Sequence, residues 1–171
     1  PFDVTDTEGQ RTALGLEPAE ALVRISFLVQ SLYTQVATAH DLTAQQAQLL
    51  CMVKDGPRAM GDLVAMLRID KSSVSGLVDR VGQRGLVTRT RSQTDGRAVT
   101  VALTIDGKRR AEAFYAETSA RLEEVVALLA PDHRSTLATL LSEIVGACAV
   151  PPVFGDHALV PSTPRPEGPA P

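Results

Sequence analysis

The residues whose types and spacing could do chemistry are concentrated between Asp70 and Arg97. Lys71 is followed by Ser72, Ser73, Ser75 and Gly76, and Arg80 comes one helical turn after Gly76. Arg89, Arg91, Asp95 and Arg97 come next. Hydroxyls donate and accept hydrogen bonds, guanidinium groups fork onto paired acceptors, and ammonium groups act as point charges. These are tools of recognition rather than of bond making. No P-loop, HExxH or G-x-G-x-x-G pattern occurs, and SSVSG lacks the leading glycine of a nucleophile elbow and lies inside a helix. The chain is therefore read as no enzyme, with no cofactor. His40, His133 and His157 are scattered without paired-ligand spacing, so no metal site is expected. Cys51 and Cys148 match no metal or redox spacing and read as buried small hydrophobes in a reducing cytoplasm.

Charge narrows the partner. The net charge is −3 over 171 residues, which by itself argues against a polyanion. Residues 59–110 nevertheless hold ten Lys/Arg against five acids, a local +5, while the remainder holds seven against fifteen. A basic centre in an acidic frame is the footprint of a local polyanion site. A solvated helix face accounts well for Lys108, Arg109 and Arg110 but poorly for arginines on strands. No run of about 18 apolar residues exists, so no membrane span is expected. The opening PFDVTDTEGQ has neither a basic start nor an apolar stretch and is not read as a secretory signal.

The elements that must position these residues follow from periodicity. Val74, Leu77, Val78 and Val81 form one apolar stripe at helical spacing, and the opposite face carries the small polar residues. Asp70 is the N-cap of this helix and Gly85 its stop. A short helix over 59–67, with Leu63, Met66 and Leu67 inward, precedes it across Arg68-Ile69-Asp70. Two short helices joined by a three-residue turn form a helix-turn-helix. Leu86–Arg91 and Ala98–Thr104 alternate as strands, with Val99, Val101 and Leu103 on one face and Arg89, Arg91 and Arg97 among the outward positions. Asp95-Gly96 is a hairpin turn signal, so the strands make a wing.

Helices flank this unit. Glu17-Pro18 opens one that runs to about His40, with Leu22, Ile25, Val29, Leu32 and Val36 on its apolar face. Thr43 and Gln46 make a T-x-x-Q capping box for the next, which buries Ala47, Leu50 and Cys51 and stops at Asp55-Gly56-Pro57. From Thr104 or Asp106 a long helix carries Ala111, Tyr115, Thr118, Leu122, Val125 and Leu129 at four-three spacing. A last helix from Pro131 repeats the spacing at Leu137, Leu141, Ile144 and Cys148. One chain of this size has too little body to cover both seams. They are expected to meet the first helix and a second copy.

At this point the order of elements and three motifs resemble the MarR family of bacterial transcriptional regulators. MGDLVAMLRIDKSSVSGLVDRV is similar to the family's helix-turn-helix, RGLVTRTR to its approach to the wing, and TDGRAVTVALT followed by DGK to its wing motif and the helix after it. The resemblance covers about residues 18–148. It implies a homodimer in which two winged lobes face one DNA duplex. It places Ser72, Ser73, Ser75 and Gly76 against major-groove edges, with Lys71 at the start of the recognition helix and Arg80 further along. It also places Arg97 at the wing tip in the minor groove, oriented by Asp95. Arg89, Arg91 and Lys71 would neutralise phosphates. Gly76 departs from the family, many of whose members carry a larger residue there, often Arg. The resemblance further implies a small effector, often an aromatic acid, between dimer layer and DNA lobe; no residue identifies one.

The expected fold is mainly α with a small β-hairpin, a winged helix-turn-helix with a helical dimerisation layer. Its parts are an N-terminal arm over 1–17, dimerisation helices over 18–42 and 105–149, a DNA-binding region over 43–104 and a Pro-rich, flexible tail over 150–171. The expected function is sequence-specific binding of a pseudo-palindromic operator in double-stranded DNA, more often as a repressor, in the cytoplasm. The rival reading is a winged-helix module for protein docking or dimerisation without specific DNA binding.

Overall fold

The computed structural model describes residues 15–91 and 99–150. Along them run α1 (Pro18–Ala39), α2 (Ala44–Met52), β1 (Arg58–Ala59), α3 (Met60–Leu67), α4 (Lys71–Gln83), β2 (Val87–Arg91), β3 (Val99–Leu103), α5 (Ile105–Val126) and α6 (Pro131–Ala147). The strands form an antiparallel sheet in the order β1-β3-β2. The protein is mainly helical with a small sheet, as the sequence implies. Most of the N-terminal arm, the wing tip at 92–98 and the tail from 151 lie outside the described residues.

Local chemistry sets the boundaries. Thr43 closes the predicted capping box on α2: its hydroxyl accepts from the Gln46 amide at 3.2 Å, and Gln46 Oε1 accepts from the Thr43 amide at 3.1 Å. Asp70 caps α4 through the Ser73 amide at 2.9 Å. Gly85, at φ +69°, lets the chain leave α4 in the left-handed region, and the Leu86 amide returns to the Val81 carbonyl at 3.2 Å. Thr104 caps α5 by accepting from the Gly107 amide, while its own hydroxyl donates to the Gly85 carbonyl at 2.7 Å. At Gly107 a Cβ would stand 1.8 Å from the Leu86 carbonyl oxygen, so only glycine lets α5 approach the base of the wing.

The core sits where α2, α3, α4, the sheet and α5 meet. Leu49, Leu50, Met52, Leu63, Val101 and Phe114 are buried there, with the whole predicted α4 stripe of Val74, Leu77, Val78 and Val81. Two features differ from the sequence reading. β1, which that reading does not contain, pairs Arg58 and Ala59 with the outer edge of β3; two residues are too few to show alternation. On α5 the inward residue is Phe114 rather than Tyr115, which is half-buried. Phe114 meets Tyr33 of α1 edge to face, with ring centroids 4.8 Å apart.

The outer helices are covered least. α1 buries only Val36 and Ala37 and leaves Leu22, Ile25 and Val29 exposed, with Phe27 at 68%. α6 buries no residue, and Leu140, Leu141, Ile144 and Val145 are exposed. Arg134 holds the α5–α6 junction by donating to the Ala127 and Leu129 carbonyls at 2.9 and 2.8 Å. Cys148, expected as a buried small hydrophobe, is exposed at the end of α6, where none of the described residues covers it. Among the described residues no helix is long and apolar enough to cross a membrane.

Candidate nucleic-acid interface

The N-terminal end of α4 is organised by one carboxylate. Asp70 accepts from the Ser73 amide, from the Ser73 hydroxyl at 2.5 Å and from the Ser72 hydroxyl. The Ser72 hydroxyl first, then the two groups of Ser73, hold its carboxyl well below the ordinary carboxylate range. Both serines thus spend their protons inward. What they offer outward is acceptor capacity, suited to an amino group of adenine or cytosine.

The middle of α4 is tied to the wing. The antiparallel register sets Arg89 opposite Val101, on the side of the sheet that also carries buried Val87. Arg89 is exposed, as expected, but it shares a side of the sheet with Val87 and its guanidinium turns onto α4. Its side chain, 35% exposed, runs along α4, donating to the Ser75 carbonyl at 2.9 Å and the Ser75 hydroxyl at 3.3 Å and pairing with Asp79 at 2.9 Å. Among the described residues the Ser75 hydroxyl donates to no acceptor. Arg91 is placed by its backbone opposite Val99, and Asp95 and Arg97 lie outside the described residues.

Lys71 and Arg80 differ from these. Both are exposed, and among the described residues neither makes a hydrogen bond or ion pair. Arg80 reaches back over Gly76, where a Cβ would lie 3.3 Å from its Nη1. Gln45 of α2 and Asp70, together with Ser72, Ser73, Gly76 and Arg80 of α4, line an open cleft of about 420 Å³. Ser72, Ser73, Gly76 and Arg80 thus come together at this cleft, Lys71 and Ser75 lie outside its lining, and Arg89 ties the wing to α4.

The sequence reading missed two participants. Gln45 faces the cleft from the first turn of α2, and only the docking of α2 against α4 brings it there. Arg84, at the end of α4, donates to Gln46 Oε1 at 2.9 Å and faces Asp41 at 3.7 Å. Gln46 was legible as a capping residue, and its one oxygen serves both the cap and Arg84. The turn that holds Asp41 also connects to α5: Arg110 donates to the His40 carbonyl at 2.6 Å, and His40 Nε2 lies 2.9 Å from Glu117 Oε2. A second cleft, about 310 Å³, opens beside this turn between α1 and α5. Cys51 is buried, and burial pushes its thiol up to about 12, which keeps it protonated and unreactive. Among the described residues no group of three His, Cys, Asp or Glu gathers as metal ligands.

Comparison with known proteins agrees with this geometry. Residues 40–98 match the model of the MarR family. The transcriptional repressor NicR of Pseudomonas putida is 29% identical over 108 residues, 63% of this chain and 62% of its own length. The chain spans about three-fifths of the length of the curated relatives it matches. Wild-type MarR from E. coli in its apo form superposes with a TM-score of 0.68 at 23% identity, covering 76% of this chain and 97% of that one. MepR of S. aureus, solved as a DNA complex, gives 0.65 at 20%, covering 77% and 98%. At these identities the structural likeness shows the fold.

Proposed function

We propose that the chain, whose residues 40–98 match the model of the MarR family, is a transcriptional regulator of that family that binds double-stranded DNA as a homodimer and acts as a repressor in the cytoplasm. One observation carries this reading. The exposed side of α4 is built of small polar residues and two cations with no partner among the described residues, inside the one basic zone of an acidic chain. MepR, with the same fold, is found in complex with DNA, and NicR is a repressor; both facts support the proposal by analogy.

In this reading α4 lies in the major groove. Ser72 and Ser73 accept hydrogen bonds from base edges and Arg80 donates to them, while Lys71 and Arg91 pair with phosphates. Arg97, oriented by Asp95, follows the narrow minor groove. The exposed apolar residues of α1 and α6 meet a second copy, and the two-fold pair demands two half-sites about one helical turn apart. A small effector remains part of the proposal without a named site. Such a ligand acts only through different affinities for the two lobe spacings.

Titration of the purified chain with duplex DNA at rising salt tests the proposal. The logarithm of the binding constant should fall linearly with that of salt concentration. Arg97→Ala should lower the affinity while sedimentation still reports a dimer. Absence of duplex binding at low salt would favour the protein-docking module. Unchanged affinity in Arg97→Ala would remove the wing tip from the mechanism.

A further inference from the structure

We propose that Arg80, laid across Gly76, is the side chain that sets base preference on α4, and that the base it selects is guanine. The inference rests on the DNA-binding reading above and names the determinant within that site. It begins from what the other polar groups are doing. Ser72 and Ser73 give their protons to Asp70, and Ser75 holds the Arg89 guanidinium through its carbonyl and hydroxyl. Arg89 is further engaged by Asp79. On the same side of the helix Arg80 has no partner among the described residues, although Asp70 lines the same cleft.

Helix geometry explains where Arg80 goes. The Cα–Cβ bond tilts toward the helix N-terminus, so a long side chain covers the turn before its own Cα. Arg80 therefore lies over position 76, and glycine there leaves the space open. A Cβ at 76 would press on Arg80 Nη1 at 3.3 Å, and any larger side chain would push the guanidinium away. The bare glycine and the arginine one turn later act as one unit: the backbone position gives up its own side chain, and Arg80 occupies the surface above it. A planar fork with unpaired N–H groups matches the O6 and N7 acceptors of guanine, which no other base presents together in the major groove. Lys71, the other cation of α4 without a partner among the described residues, is a point charge without that geometry.

Selection of bound duplexes from a random pool tests this, using the full chain as wild type, Arg80→Ala, Arg80→Gln and Gly76→Leu. The wild type should enrich guanine at one position in each half-site. Both Arg80 variants should lose that preference by about tenfold or more at that position alone, while the rest of the site is still enriched. Gly76→Leu should weaken the same position with Arg80 still present, and circular dichroism melts should show all four chains folded, since both residues lie on the outer side of the helix. Retention of the guanine preference by the Arg80 variants, or wild-type preference in Gly76→Leu, would overturn the inference and leave the DNA reading standing. A folded wild type that enriches no duplex would overturn the DNA reading and this inference with it.

Discussion

Asp70 and Arg89 show how single residues set what this surface can offer. The Asp70 carboxyl, held low by Ser72 and Ser73, starts α4 and at the same time fixes the direction of two hydroxyls. Because its folded value lies below the ordinary 3.8, its contribution to stability is present above that pH and is lost as pH falls toward the folded value. The thermal midpoint of Asp70→Ala should therefore trail the wild type by a constant gap above about pH 5 and by a shrinking gap below about pH 4; a gap that widens in acid would contradict the assignment. Arg89 yields a sharper test. As a tie between wing and helix it needs Asp79, so Asp79→Asn should loosen the wing and lower duplex affinity several-fold. Were Arg89 a phosphate contact, removing the acid would free it and affinity would rise. The cap at Asp70 was legible in the sequence, because a cap and its target lie three residues apart. The partner of Arg89 was not, because it depends on which strand residue faces α4, and a shift of one residue reverses that.

Among the elements, α4 was the most legible. Its four apolar positions are all buried, and both its ends fall where Asp70 and Gly85 put them. The capping box of α2 and the break at Pro131 were equally local signals. What stayed hidden is contact between elements distant in sequence: the β1–β3 pairing, the turn of α5 that brings Phe114 inward, and the seat of Gly107 against the Leu86 carbonyl. That seat is where α5, the lever running out of the lobe, is fixed to the wing base, together with the Thr104 hydroxyl on Gly85. A methyl group at 107 collides with backbone rather than with a yielding side chain. Gly107→Ala should destabilise the fold by about 3 kcal/mol or more in denaturant titration, despite the higher helix propensity of alanine. A midpoint equal to wild type would mean that α5 can stand off the wing base without loss.

The whole molecule is legible mainly through what one chain leaves uncovered. The spacing of apolar residues on α1 and α6 announced faces for packing, and among the described residues those faces remain open. The identity of what covers them cannot follow from spacing, since a seam specifies a helix and not whose helix. Assigning them to a second copy predicts that Leu141→Glu with Ile144→Glu yields a folded monomer by sedimentation, with duplex affinity reduced at least tenfold; a variant that stays dimeric would move the interface elsewhere. The central claim, a symmetric pair of DNA-reading lobes, is tested most directly by footprinting the purified chain on a duplex recovered by selection, with the number of bound chains measured by sedimentation. The account predicts two chains per duplex and two protected half-sites related by a dyad, about 10 base pairs apart. One chain on a single unpaired site, or no protection at any salt concentration, would contradict it.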